Sequence, residues 1–479
     1  MKQENSVSRL LSLPAELIHN VLQFLEPTCL VDVGLTCRWL HDQLNDSLWR
    51  PHVNEQLPLP LSTPAPFSSF RHLYASHHPY WFLTRHKIWF SDSEPNGKLL
   101  LARYDARRAC IEAYAIVAEP GLRRRYHWEH NQDVSIHTFN PNVRLDLNSP
   151  VLKLDPGNPR NPARLLDHDD DQQTGPLPPL SREIIMDCSA PAGLFTSFML
   201  ARDLPEVAIA PGTRVWPPQR IPALSRTRNA STRAFQPLAH RPSTLDEVSQ
   251  TTFRLRKWVE FTGRRHSSSI MALGAHTALG FGAFPPTIMN TAGAAMTVRM
   301  GEEVSTYATL PPSCYTADKR KPWQGIWCGD YSGHGCEFLL VLQPDKAEER
   351  PLPDGMNHML EWLATGHYRR YSDTSDTSSS SYTSAQKDQE SPSNHTRSVP
   401  DTLDTTDEHD VYSGRIEAIK LTGDPHIPRG EYTFIAPNIG DGGLVRIADE
   451  DIFKGARVVR SAGHVANVGF TAGETFFPT

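Results

Sequence analysis

The chain has 479 residues with 48 basic against 54 acidic side chains, so its net charge of −6 provides no dominant field for nucleic acid or an anionic membrane surface. It is too long for one typical domain, and its forty prolines point to many loops. Seven irregularly spaced cysteines, opening residues without a signal peptide's apolar run, and no stretch of about eighteen apolar residues together lead us to expect an intracellular protein, cytoplasmic or nuclear, with reduced thiols.

The segment from Leu13 to Trp49 carries the most specific signal. Pro14 suits a first helical turn, and Glu16 beside it complements the positive end of a helix dipole. Leu17, Ile18, Val21, Leu22 and Leu25 recur at three- and four-residue steps, giving an apolar helical stripe that Pro27 ends. Two further short helical runs are expected around Cys29 to Val33 and Thr36 to Leu44. Asn45-Asp46-Ser47 then turns the chain, and Leu48-Trp49 closes the unit. A module of some forty residues buries too little surface to be stable alone, so a partner is expected.

The residues Leu13-Pro14, Glu16-Leu17, Leu25, Pro27, Leu30, Val33, Cys37-Arg38-Trp39 and Leu48-Trp49 resemble the F-box. That resemblance implies a three-helix module docking on a Skp-type adaptor, which joins it to cullin and RING subunits of a ubiquitin ligase. The adaptor-binding residues it implies are Leu13, Pro14, Leu17, Ile18, Leu22, Leu30, Trp39 and Trp49.

Residues 57–80 read as a linker with a short helix from Phe67 to Ser76. Beyond it the texture becomes β: Trp81 to Phe90, Leu99 to Val117 and Arg144 to Leu154 read as strands with Gly- and Pro-containing turns between them. The acidic, proline-rich run at 159–179 is expected from its composition to be a surface insertion, and not a metal site, since it lacks the glycine and distal glutamate of a calcium loop. Strand-like pieces continue from Ile184 to Trp216, Phe253 to Thr262, Ser269 to Phe284, Thr287 to Arg299 and Trp323 to Leu342. The arginines between 217 and 242 are expected to solvate a loop. A helix is expected from Met356 to Leu363. Residues 371–410 are dominated by Ser, Thr and Asp and read as a disordered insertion. Strands resume at Gly414 to Leu421, Gly430 to Pro437 and Val445 to Ile447. The expected fold class is therefore α+β: residues 1–56 all-α, then a mainly antiparallel β domain over 81–370 and 411–479. A barrel or strongly curved sheet is favoured, because many short antiparallel strands must hide their edges.

Gly325-Ile326-Trp327-Cys328-Gly329-Asp330-Tyr331-Ser332-Gly333-His334-Gly335-Cys336-Glu337, with Pro428-Arg429-Gly430 and Gly463-His464-Val465-Ala466, resembles the F-box proteins with a cyclin-D-binding type of C-terminal region. These are the family of F-box only protein thirty-one and its fungal relatives. The resemblance implies a β-barrel substrate receptor, without fixing the client. The chain stops soon after the Gly-His-Val motif, which leaves open whether a closing strand is present.

Cys328, His334 and Cys336 lack the paired spacing of a structural zinc site, with Cys314 far off, so no metal or cofactor is expected. No phosphate loop, His-Glu-x-x-His or Gly-x-Ser-x-Gly occurs, and a non-catalytic receptor subunit is expected. Its expected partners are the adaptor, a protein client, and neither nucleic acid nor membrane. Two other readings are an F-box-linked barrel for a small apolar ligand and a scaffold acting outside any ligase. Tyr331, His334 and Glu337 are the candidate client-binding residues, standing where glycines 329, 333 and 335 allow a bend; bracing of that bend is the alternative role.

Overall fold

The computed structural model describes residues 10–94, 96–121, 125–128, 131–137, 140–155, 179–186, 194–209, 213–229, 241–263, 287–288, 296–331, 335–353, 355–364, 411–451 and 453–477. The expectations for 159–178, 264–286, 371–410 and His334 fall outside them. The chain divides into two compact units, Met1–Tyr315 with Trp327–Leu339 and Lys420–Glu431, and Thr316–Ile326 with Leu340–Ile419 and Tyr432–Thr479.

The first unit opens with α1 (Ala15–Leu22), α2 (Pro27–Thr36), α3 (Arg38–Gln43) and α4 (Asp46–Glu55). Pro14 precedes α1 and Pro27 occupies the first turn of α2, where a missing N–H costs no helical bond. Asn45-Asp46-Ser47, expected only to turn the chain, starts a fourth helix. The Asn45 side chain accepts from the Ser47 amide at 3.1 Å, so an Asn that reads as a turn residue acts as a cap. In α5 (Phe70–His77) the Ser69 hydroxyl accepts from the His72 amide at 3.0 Å.

Residues Trp81 to Phe90, expected as one strand, form α6 (Phe82–His86) and then β1 (Ile88–Ser91). Tertiary contacts decide this: Thr84 Oγ1 donates to Gln56 O at 2.9 Å, Trp89 Nε1 donates to Leu83 O at 3.0 Å, and the Phe82 and Trp89 rings meet edge-on at 5.8 Å. A short aromatic run has no periodicity strong enough to fix its own conformation.

The strands that follow are β2 (Leu99–Asp105), β3 (Cys110–Glu119), the separate hairpin β4 (Arg125–Trp128) and β5 (Asn131–His137), then β6 (Asn142–Leu145), β7 (Leu152–Leu154), β8 (Ile184–Met186) and β9 (Leu194–Arg202). After β10 (Val215–Trp216) and β11 (Thr227–Arg228), which pair with each other, come β12 (Val248–Gly263), β13 (Thr287–Ile288) and β14 (Met296–Thr309). The main sheet runs β6-β3-β2-β1-β14-β12-β9-β8, with β7 on β3 and β13 on β14. Phe253 of β12 pairs in register with Tyr307 and Leu200, and its ring stacks between Phe198 at 5.4 Å and Tyr307 at 5.0 Å. Cross-strand aromatic contacts of this kind fix register.

One continuous core joins this sheet to the helices. Ile18, Leu22, Leu30, Leu48, Trp49 and Val53 pack with Phe70, Leu73, Trp81, Trp89, Phe253 and Tyr307. Each such aliphatic side chain contributes about 1.5–3 kcal/mol on burial. The partner that the helical module needs for stability is thus supplied within its own chain, and the stretch expected to be a linker contributes Phe70 and Leu73 to that core.

Arginine 241 corrects another expectation. Rather than solvating a loop it is buried, donating to Ser181 O at 2.7 Å and to Glu183 at 2.5 Å; Arg256 approaches the same carboxylate at 3.2 Å. Arg254, one pleat along β12 from Arg256, is also buried and donates to Thr227 Oγ1 at 2.9 Å.

The second sheet runs β15-β16-β17-β18-β20-β19, with β21 on the other side of β20. Its strands are β15 (Gly325–Asp330), β16 (Cys336–Leu342), β17 (Ile416–Lys420), β18 (Tyr432–Ala436), β19 (Leu444–Ile447), β20 (Arg457–Val465) and β21 (Gly469–Phe477). The expected helix appears as α7 (Met356–Ala364), packed on β20 and β21. Within the second unit Trp323, Val341, Ile416, Ala436, Val459 and Phe477 form a core. The buried Glu417 is held there by Arg350 at 2.9 Å and Arg415 at 2.5 Å. The expected fold class is what the structure holds: a helical module followed by antiparallel sheets, which form half-barrels.

Candidate functional site

Two sets of residues stand out, one exposed and one buried. On the helical module Leu13, Pro14, Leu17 and Trp39 are exposed, whereas Ile18, Leu22, Leu30 and Trp49 are buried in the core. The second group supports the surface and offers no side chain to a partner. Trp49, for example, lies 5.7 Å from the Tyr74 ring. Sequence reasoning missed Phe24, 83% exposed, and Leu35, 78% exposed, together with Val21 and Val31. A signal for them existed. Leu17, Val21 and Phe24 sit at four- and three-residue steps along α1 and the turn after it, and Val31 and Leu35 at a four-residue step on α2, so each helix carries exposed apolar residues besides those that face the core.

The buried set gathers around Lys420. Its ammonium lies 2.6 Å from Glu337 Oε2, 2.8 Å from Asp424 Oδ2, and 4.2 Å from the centre of the Tyr331 ring, and the lysine side chain is fully buried. Local backbone geometry places each group. Gly335, at φ +88°, accepts from the Tyr331 amide at 2.9 Å and turns the chain out of β15. A Cβ on Gly329 would come within 2.9 Å of the Tyr331 ring, so only glycine lets that ring swing over Lys420. Asp424 Oδ1 accepts from the amides of His426 at 2.7 Å and Ile427 at 2.9 Å, fixing the turn after β17. Backbone bonds Leu421 N to Phe338 O and Gly423 N to Asn96 O tie that turn to β16 and to the β1–β2 loop.

Burial outweighs the Lys420 hydrogen bond and charge and, with smaller help from the Asp424 hydrogen bond and charge, pushes the Glu337 carboxyl up to about 7. Burial acts the same way on Asp424, but there the Lys420 hydrogen bond and the two amides win and hold its carboxyl below the usual range. Nearby Asp92 is also buried, which raises it to about 6 although Thr306 N donates to it at 2.6 Å. Arg429 donates to the Asp92 carbonyl and lies 5.8 Å from the Trp216 ring.

Of the three candidate client-binding residues, Tyr331 and Glu337 are brought together on Lys420 and face inward, while His334 lies outside the described residues. Glu337 has a side chain 4% exposed, which favours the bracing role over direct contact with a client. Lys420, Asp424, Asp92 and Arg429 were not anticipated: Asp424 read as an ordinary turn residue, and nothing in spacing linked it to a lysine ending an apolar strand. Among the described residues no group of His, Cys, Asp or Glu is placed to hold a metal ion.

The Glu337 shift makes a pH prediction. Its folded value near 7 exceeds the ordinary 4.5, so the folded chain binds the extra proton between them. The stability it contributes is full below about pH 4.5 and is lost as pH rises through about 7. Glu337→Gln should therefore flatten the fall in urea midpoint between about pH 5 and 7.5. A slope equal to the parent's would refute the shift.

The helical geometry defines the class first: residues 10–54 match the family model described as F-box-like. A second match covers residues 307–478 and is described as the Cyclin D1 binding domain. The chain thus carries an F-box-like domain at one end and a Cyclin D1 binding domain at the other, and the Lys420 cluster lies inside the latter. No curated protein matches the chain. Neither match bears on a fungal source. Among the described residues no helix is long and apolar enough to cross a membrane.

Proposed function

We propose that this chain is the substrate-recognition subunit of a Skp-cullin-F-box ubiquitin ligase, acting in the cytoplasm or nucleus. Its helical module binds a Skp-type adaptor, and its β region holds a protein client for ubiquitination and degradation. The observation that carries this reading is the exposure of Leu17, Val21 and Phe24 on and just after α1 and of Val31 and Leu35 on α2, in a module whose own core is complete. Grouped exposed apolar side chains on a soluble fold mark an interaction surface. The chain makes and breaks no bonds in this scheme. Cullin and RING subunits bring the charged conjugating enzyme, and the receptor raises the effective concentration of the client's lysines beside it.

Full-length chain expressed in cells should copurify with adaptor and cullin together, and its captured clients should accumulate when Leu17→Asp/Leu35→Asp replaces it. Recovery of adaptor without cullin would instead support a scaffold outside the ligase. Surface substitution is the appropriate tool, because deleting residues 10–54 would remove part of the core shared with the sheet.

A further inference from the structure

We propose that the outer edge of β21 is a strand-addition site for an extended peptide that carries a basic residue next to a bulky apolar one. β20 and β21 pair without a bulge from Arg457↔Phe477 to Val465↔Gly469. β20 uses its other side on β18 and β19, whereas among the described residues β21 has no ladder partner except β20. One side of a nine-residue strand therefore presents a row of backbone N–H and C=O groups. Two of the usual guards are missing, since Gly469 to Phe477 contains neither lysine nor proline, and its one charged residue is Glu474.

The two faces of the strand specify the partner. Glu474 stands opposite Arg460 in register, but Arg460 Nη1 donates to Gly442 O at 3.1 Å, and Glu474 Oε2 is buried without a hydrogen-bond partner. Arg446, which also feels that carboxylate, is bound to Glu450. A cation on a strand laid beside β21 would complete an alternation of Arg460, Glu474 and cation across three strands.

On the opposite face Gly463 and Gly473 leave bare backbone: a Cβ on either would meet no heavy atom within 4 Å. Bulky side chains from a neighbouring strand cover such edge glycines. Because Gly473 and Glu474 are adjacent, the residues opposite them on the peptide are adjacent too, and they point to opposite faces. A second copy of this chain fits less well, since edge-to-edge pairing would bring two Glu474 carboxylates near each other. The site would serve the client capture proposed above, but it is read without adaptor or cullin, so either proposal can fail alone.

The test is fluorescence anisotropy of full-length chain with a labelled nonapeptide, Gly-Thr-Val-Lys-Phe-Thr-Val-Thr-Gly. Replacing its Lys by Glu should weaken binding about tenfold. Glu474→Gln should abolish that preference and Glu474→Lys reverse it, while Gly473→Val should weaken the parent peptide without changing the melting temperature. Of two peptides with proline at alternate positions, at least one should lose binding, because proline removes a ladder donor. Leu17→Asp/Leu35→Asp should bind the parent peptide normally. The proposal is overturned if no peptide binds, if Glu474→Gln keeps the charge preference, or if both proline peptides bind like the parent. Sedimentation showing a dimer that peptide must dissociate would assign the edge to a second copy and overturn it as well.

Discussion

Leu17→Asp combined with Leu35→Asp should leave the melting temperature within about 2 °C of the parent and remove adaptor capture, whereas Ile18→Asp alone should unfold the chain. Leu17 and Leu35 are 50% and 78% exposed, so new carboxylates there stay in water in the free protein. Against an adaptor the same carboxylates must be desolvated in an apolar contact. Loss of a central apolar anchor costs about 2 kcal/mol or more, which is at least about a thirtyfold fall in affinity. Ile18 is 2% exposed in the core that also contains Leu22, Trp49 and Leu73. An aspartate there loses the isoleucine's packing and buries a polar group without a partner, a combination in the range above about 4 kcal/mol. Quantitative copurification and thermal melts on the same preparations decide the matter. Normal adaptor capture by the surface double variant would remove the basis for the proposed interface.

Lys420→Met should be the most damaging conservative-volume change in the β region. It keeps the length of the side chain but leaves Glu337 and Asp424 side by side, both nearly inaccessible to water, with no cation between them. Removing one partner of a buried ionic group costs about 3–5 kcal/mol, because the remaining charge is stranded. The loss should be worse at pH 8 than at pH 5, where both carboxyls can take up protons. Adding Glu337→Gln and Asp424→Asn should recover part of it; the asparagine oxygen can still accept from the His426 and Ile427 amides. Urea titrations of the single and triple variants measure both effects. A cost below about 1 kcal/mol for Lys420→Met at pH 8 would show that the cluster does not brace this region.

What the sequence disclosed depended on whether a feature is local. Leu13-Pro14 just before α1, Glu16-Leu17 in its first turn and Leu48-Trp49 in α4 form local patterns, so the helical module could be recognised, though which of its apolar residues face outward could not. Leu17 and Ile18 are neighbours of equal hydrophobicity, and only the packing of the sheet below separates them. The strands β2, β3 and β12 were legible from aliphatic and β-branched runs, as was α7 from its apolar spacing. The hairpin of β20 and β21 was not called as strand, since its Gly463, Gly469 and Gly473 dilute the alternation. The Lys420 cluster joins residues 83 positions apart, from Glu337 to Lys420. No spacing rule spans such a distance, and the aspartate that completes the cluster resembles any other turn residue. Arg241 was misread for a similar reason: its loop composition is polar, and the carboxylate that draws it inward lies 58 residues earlier.

The core that runs from Ile18 to Tyr307 also has a consequence for how the chain is made. Translation delivers the helices first, yet the aromatic layer beneath them is finished only when β14 follows, close to three hundred residues later. An interrupted chain would carry the letters of the proposed adaptor surface without the floor that sets Leu17 and Leu35 outward and Ile18 inward. In the proposed function, competence to enter the ligase would be tied in this way to completion of the sheet, so unfinished products would have little means of occupying adaptor needed by finished ones.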